Sequence, residues 1–397
     1  MPDFLDVATD LRAALRALRV VVVGCGAVGL AVVDTLARLA LDRMVVVDPA
    51  LFKDVSVLTH PCLPEDLARP KAIVAAERAK QLSPDTQVLA LEGCFEELPL
   101  GLLAGTSFLI VSSDNLRAEV SVSQRALHLG IPVLQGSVHG GTLTAQVRSI
   151  AVDGSGAGPC LACGFTQREW SDLDAGTVFS CSGTDSSSNA PAEHSPVPTE
   201  SLPYLCRMAA DLLSLEMTRR LLGIGDPQES REVSYTGYTH RTVVTPLRRS
   251  ATCPLEHTRL ELAPRKRSLG ESAPRDLLRE AGYDRSDLRR VTIAVEGWAF
   301  SSLAVCGCDA HAALGRFLPA GSAAGTCPSC RAQRWPHPLH TAQEIPVSAL
   351  AGRLDCTLGS LGADAPTSVR LRGERGGVLF IHSSTPGPAG EEQRGHE

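Results

Sequence analysis

A run of four valines ending in three spaced glycines constrains this chain more than any other feature. Val20 to Val23 form an unbroken β-branched stretch, and Gly24-Cys25-Gly26-Ala27-Val28-Gly29 and a mostly apolar segment from Leu30 to Leu41 follow it. Such a run predicts a strand buried on both faces of a parallel sheet, and the segment after it predicts a helix. Gly24, Gly26 and Gly29 supply G-x-G-x-x-G at the junction. The first glycine suits a tight turn, the second lets a phosphate approach the backbone, and the third lets the helix pack against the strand. The helix N-terminus then presents N–H groups and a positive dipole end to an anion. A second apolar strand, Met44 to Val47, ends in Asp48, at the spacing of a ribose-binding acid. The alternative is that the glycines only permit close strand–helix packing.

The alternation continues downstream. An irregular stretch from Pro49 to Pro70 precedes an amphipathic helix over Lys71 to Leu82. Strands are expected at Thr86 to Leu91, Phe108 to Val111, Pro132 to Gln135 and Thr142 to Ile150, with a helix over 116–129 and another over Leu202 to Leu222. Strands and helices in this order predict an α/β fold, a doubly wound and mainly parallel sheet. The strand Phe108 to Val111 runs into Ser112-Ser113-Asp114-Asn115 at its carboxyl end, where open α/β sheets bind ligands. Asp114 could equally cap the next helix. Residues 182–201 are rich in Ser, Pro and Ala without hydrophobic period, which predicts a mobile loop.

A chain of 397 residues exceeds one ordinary core, so at least two domains are expected. From about residue 265 a separate module is expected, with a helix near 275–281, a strand at Val291 to Val295 and a cysteine cluster over 306–330. A net charge of −6 without a dense basic run argues against nucleic acid as a partner. The apolar segment from Val20 is broken by three glycines, Asp34 and Arg38, which argues against a membrane span, and the N-terminus carries no signal peptide pattern.

Thirteen cysteines, several in C-x-x-C and C-x-C pairs, fit a reducing compartment and metal binding, so a cytoplasmic protein is expected. Cys160 and Cys163 form one pair and Cys253 with His257 a complementary one, together a tetrahedral Cys₃His set for Zn²⁺. Cys306, Cys308, Cys327 and Cys330 form a second, Cys₄ set of zinc-ribbon type. A single zinc held by Cys160, Cys163, Cys327 and Cys330 is the rival pairing; two structural zincs are preferred because each group has four local ligands. Cys25, Cys94, Cys206 and Cys356 sit among apolar neighbours and are expected to pack. His60 and His139 lie near the expected cleft, where a lone histidine is more often structural.

The order of these pieces resembles the ThiF/MoeB/HesA superfamily of ubiquitin-activating-type adenylyltransferases. The matching segments are GCGAVG at 24–29, Asp48, R-P-K-A around Lys71, S-D-N with Asp114, C-L-A-C at 160–163 and F-S-C-S-G with Cys181. The resemblance implies a Rossmann-like adenylation domain over 1–260, with residues 182–201 as its crossover loop. A zinc-ribbon module over 265–385 and a disordered tail over 386–397 follow. It implies adenylation by Mg-ATP of the C-terminal carboxylate of a ubiquitin-like or sulfur-carrier protein ending in glycine, in a homodimer. Lys71 would contact the phosphates, Asp114 would hold Mg²⁺, Asn115 is an adjacent polar candidate, and Asp48 would meet the ribose. Cys181 could take the activated carboxyl as a thioester or serve in sulfur transfer, or be an ordinary loop thiol. The 265–385 module could recruit the carrier or a conjugating enzyme.

Three positions depart from the family pattern. Ala50 replaces a second acid after Asp48, Thr59 stands where a phosphate-binding arginine is usual, and the N-terminal R-Y-x-R-Q signature is missing. These keep open a second reading, a weak or inactive adenylyltransferase-like scaffold that needs a partner. A third, an NAD(P)-dependent oxidoreductase, fits the glycine motif and Asp48 but not the order of Lys71, Asp114 and CLAC.

Overall fold

The architecture is that of a computed structural model, which describes residues 11–113, 115–152, 158–175, 179–180, 197–198, 201–226, 228–284, 287–308, 310–374 and 376–382. The chain divides into two compact units, Met1–Leu98 with Gly105–Arg259 and Pro99–Ala104 with Leu260–Glu397.

The first unit is built on an eight-stranded sheet. Its strands are β1 (Arg19–Val23), β2 (Arg43–Val47), β3 (Gln87–Leu91), β4 (Phe108–Val111), β5 (Val133–His139), β6 (Thr144–Ile150), β7 (Arg231–Thr236) and β8 (Arg241–Pro246). The order across the sheet is β8-β7-β6-β5-β4-β1-β2-β3. The five strands β3-β2-β1-β4-β5 pair in parallel, whereas β6, β7 and β8 add in antiparallel fashion. The sheet is therefore mixed, and the expectation of a mainly parallel sheet holds only for its first half. The physical cause is connection length. The short Gly140–Thr142 turn joins β5 to β6, and a turn that tight can only return the chain antiparallel.

Val20 to Val23 are all buried, as are Phe108 to Val111 beside them. Burying each such side chain stabilises the fold by roughly 1.5–3 kcal/mol. The helix α1 (Ala27–Arg38) is buried on nearly all sides, contacting both α2 (Lys71–Leu82) and the long α4 (Pro203–Leu221). Its one buried charge, Asp34, is held by α2. Arg78 Nε and Nη2 donate to the two carboxylate oxygens at 2.9 and 2.8 Å. A bidentate arginine–carboxylate pair satisfies the buried Asp34 with the half-buried Arg78 and ties the two helices together.

The second unit carries a five-stranded sheet in the order Glu261–Arg265, Gly376–His382, Ser368–Gly373, Thr292–Val295, Glu344–Pro346. A second sheet is formed around Trp298–Val305 and His311–Pro319. Leu277, Ile293, Phe317 and Phe380 are buried in its core. Residues 99–104 join this unit from far upstream: the Leu100 N–H donates to both carboxylate oxygens of Glu296, at 3.1 and 3.0 Å. Glu296 also accepts from the hydroxyls of Thr367 and Ser368. Among the described residues no helix is long and apolar enough to cross a membrane.

Candidate nucleotide site and metal centres

β1 and β4 are neighbours, and the chain leaves them in opposite directions along the sheet, so their carboxyl ends form a switch point, the place where open α/β sheets bind ligands. Gly24 sits there at φ +90°, and a Cβ on it would lie 2.8 Å from the Ser113 backbone nitrogen. The Ser112 hydroxyl donates to the Gly24 carbonyl at 2.8 Å, locking the β4 turn onto the loop. A Cβ on Gly29 would lie 1.9 Å from the Gly24 carbonyl oxygen. The first and third glycines thus serve close packing, as the plainer reading of the motif expects. Gly29→Ala is expected to destabilise the protein by about 2 kcal/mol or more, since backbone must move to admit the methyl. Urea denaturation checks this, and an unchanged midpoint would contradict the packing described.

Asp48 is buried at the end of β2 and organises the same loop. Its Oδ2 accepts from the Cys25 N–H at 2.6 Å and its Oδ1 from the Ala50 N–H at 2.8 Å. Each oxygen keeps a second lone pair for a further donor such as a hydroxyl. Burial pushes the Cys25 thiol up, with the nearby Asp48 charge adding to the effect, so it is a neutral packing group.

Lys71 opens α2, its N–H donating to the Ala50 carbonyl at 2.9 Å. Its ammonium stands 5.8 Å from the centre of the Phe52 ring, and its charge is felt at both Cys25 and His60. Asn115 caps the helix α3 (Leu116–Leu129), its Oδ1 accepting from the N–H groups of Arg117 at 2.9 Å and Ala118 at 3.4 Å. Asn115 is therefore the N-cap of this helix. Asp114 and Cys181 lie outside the described residues, as do most of the 182–201 loop and the 386–397 tail.

His60 ends the short helical turn Ser56–Thr59 and is 7% exposed, with its Nε2 lacking a hydrogen-bond partner among the described residues. Burial, reinforced by the Lys71 charge, lowers its pKa to about 4. The folded state therefore keeps a neutral imidazole at pH values where the unfolded chain protonates it, near the usual 6.5. Stability is full above about pH 6.5 and falls as the pH drops towards about 4, by at most about 3 kcal/mol. Comparing denaturation of the protein with that of His60→Gln over this range should show a shallower acid slope in the variant.

Two clusters of metal-ligating side chains are assembled, one in each unit. Cys160, Cys163, Cys253 and His257 bring their ligand atoms within 4.8 Å of one another, as do Cys306, Cys308, Cys327 and Cys330. In the first, the Cys160 sulfur is 3.8 Å from those of Cys163 and Cys253, and His257 Nε2 is 3.5 and 3.4 Å from Cys163 and Cys253. Zinc bound at about 2.3 Å from sulfur and about 2.0–2.1 Å from nitrogen sets tetrahedral edges of about 3.8 and 3.5 Å. The donor set fits that ion. His257 Nδ1 lies 2.8 Å from the Gly158 carbonyl, which fixes the proton there and leaves Nε2 as the ligand atom. The Cys163 thiol is pulled down to about 5, first by the Cys160 thiol beside it. In the second cluster the closest sulfur pairs are Cys306–Cys330 at 3.2 Å and Cys308–Cys327 at 3.8 Å. Backbone N–H groups of Cys330 and Ser329 hold the Cys327 thiol down to about 6, the thiolate character a metal ligand needs.

The ThiF family profile matches residues 3–255. The chain belongs to the ThiF family. It is 27% identical over 183 residues to the SAMP-activating enzyme E1 of Haloferax volcanii, a match covering 45% of this chain and 63% of that enzyme. It is 28% identical over 263 residues to the sulfur carrier protein adenylyltransferase of Thermus thermophilus, covering 65% of this chain and 90% of that protein. Among solved structures, E. coli MccB with MccA-N7isoASN is similar at a TM-score of 0.49 and 13% identity, over 63% of this chain and 70% of that one.

The glycine loop, Asp48, Lys71, Asn115, Cys160, Cys163 and Cys253 all fall inside the ThiF region, with His257 just past its end; the Cys₄ cluster lies wholly outside it. Two expectations need correction. Cys94 and Cys356 are exposed, not packed, whereas Cys25 and Cys206 are buried. His60, expected near the cleft as a structural histidine, is buried, and nothing periodic in the sequence signals that burial.

Proposed function

We propose that this chain uses ATP to adenylate the C-terminal carboxylate of a ubiquitin-like or sulfur-carrier protein ending in glycine. The observation that carries this reading is a ThiF-family sheet with the glycine loop and the Ser112–Ser113 turn locked side by side at its switch point. A free carboxylate is a poor electrophile, and joining it to AMP supplies a good leaving group. A carboxylate oxygen forms the bond to the α-phosphorus, and the bond to the β-phosphate bridge oxygen breaks, that oxygen taking the electron pair into pyrophosphate. Little covalent work falls to the protein, which must hold two anions in line and neutralise phosphate charge. Lys71 supplies that charge, Asp48 and the loop orient the nucleotide, and Asp114 with Asn115 beside it is the candidate holder of Mg²⁺. The names of the relatives, an activating enzyme for SAMP and an adenylyltransferase for a sulfur carrier, support this substrate class.

Both cysteine clusters are read as structural zinc centres, because four protein ligands leave no open position. Cys181 is the candidate acceptor of the activated carboxyl as a thioester. A cytoplasmic homodimer, with the second unit recruiting the carrier or a conjugating enzyme, completes the proposal. Thr59 favours a second reading, a scaffold that binds nucleotide but needs a partner for turnover. Intact-mass measurement of a candidate carrier incubated with ATP and the protein decides between them. A carrier–AMP adduct supports the enzyme, and unmodified carrier in the presence of bound ATP supports the scaffold.

A further inference from the structure

We propose that His60 donates its Nε2–H to a phosphate oxygen of the bound nucleotide, with Thr59 as the residue that positions the proton. The inference rests on the nucleotide reading above. Four observations carry it. His60 is more than nine-tenths buried, yet its Nε2 has no partner among the described residues. A buried polar nitrogen without a partner costs free energy until a ligand supplies one. Nε2 lies 3.8 Å from where a Cβ on Gly26 would stand, and no other described residue outside Gly26's own chain neighbours and helix backbone comes within 4 Å of that point. Gly26 is thus the one glycine of the motif whose open side faces space and not backbone. Gly26 is also the N-cap of α1 and offers no side-chain cap, so the first turn of a twelve-residue helix presents its positive end at the same place.

Two proton arrangements fit the contacts around Thr59 and His60. The Thr59 hydroxyl is 2.7 Å from His60 Nδ1 and 3.4 Å from the Val55 carbonyl. The hydroxyl either donates to Nδ1 or accepts from Nδ1–H while donating to Val55, and only the first leaves a hydrogen on Nε2; the proposal takes the first. A neutral imidazole that accepts at Nδ1 carries its hydrogen on Nε2. The Lys71 charge and burial keep the ring neutral, so the group acts as an uncharged donor beside a cation. The Phe52 ring meets the imidazole edge-on, with centroids 5.8 Å apart, and holds its orientation.

The test uses the full chain, with ATP and adenosine titrated separately into the protein and its His60→Ala, His60→Gln, Thr59→Val and Lys71→Ala variants. His60→Ala is expected to weaken ATP by about tenfold to a hundredfold and to leave adenosine unchanged. His60→Gln, which retains a donor, should recover part of the loss. Nitrogen NMR of histidine-labelled protein should show the Nε2–H tautomer in the free state, a shift of that N–H on adding ATP, and a mixture of tautomers in Thr59→Val. Unchanged ATP affinity in His60→Ala, with Lys71→Ala impaired, overturns the His60 assignment alone. So does an equal loss for adenosine, or an Nδ1–H tautomer in the unaltered protein, a measurement that stands even if the alanine variant fails to fold. Absence of ATP binding by the unaltered chain overturns the nucleotide reading and this inference together.

Discussion

Cys163→Ala is expected to empty the Cys₃His centre and lower the melting temperature by about 10 °C. The four ligands come from two segments about ninety residues apart in sequence, one after β6 and one after β8. Leu127, Cys160 and Ala162 are the only fully buried members of the small cluster around the site, with Phe165, Trp170 and Leu255 packed against it. With so few apolar contacts between the two segments, a zinc held by the proposed Cys₃His set would supply most of their attachment. Structural zinc contributes about 10–16 kcal/mol in isolated finger peptides. In a unit that has its own large core the loss is smaller, about 3 kcal/mol, which is about 10 °C for a chain of this size. Metal analysis should fall from two zincs per chain to one in Cys163→Ala and likewise in Cys327→Ala, with the melting curve reporting each unit. Unchanged zinc content in either variant would contradict the ligand sets.

Lys71→Ala is expected to reduce carrier-dependent adenylation by about a hundredfold to a thousandfold, the usual effect of removing one preorganised group from a developing negative charge. Its stability should change by less than about 0.5 kcal/mol, because the side chain is half-buried and its charge has no carboxylate at ion-pair distance among the described residues. The split between activity and stability is the informative part. A variant that loses both equally would make Lys71 a folding residue and leave the phosphates without the cation assigned to them.

Local pattern made much of this fold legible. The helices Lys71–Leu82 and Leu116–Leu129 and the strand Phe108–Val111 begin and end where periodicity and flanking residues place them. The first helix starts at Ala27, inside the glycine motif, where apolar spacing alone suggested Leu30. What the sequence left hidden is pairing between distant segments. Nothing in Arg231–Thr236 announces that it joins β6, because an antiparallel edge strand carries the same alternation whichever sheet it completes. Likewise nothing in Pro99–Ala104 announces its place with residues 260 and beyond.

The candidate site divides along the same line. Glycine spacing and the C-x-x-C pairs are covalently local and could be seen. The grouping of Cys160 and Cys163 with Cys253 and His257 was one of two pairings until their atoms were placed together. His60 could be placed near the cleft from sequence, but its role could not, for a different reason. Its chemistry depends on a neighbour's hydroxyl, a missing partner and a glycine some thirty-four residues upstream, none of which leaves a pattern in the residues around it.

ATP–pyrophosphate exchange tests the central claim most directly. The zinc-replete protein would be assayed with candidate small proteins ending in glycine, each compared with a form lacking that glycine. Exchange is expected to require the intact carrier and to disappear in Lys71→Ala and Asp114→Ala. Exchange that proceeds without any carrier, or ATP binding with no exchange for any carrier offered, would contradict that claim.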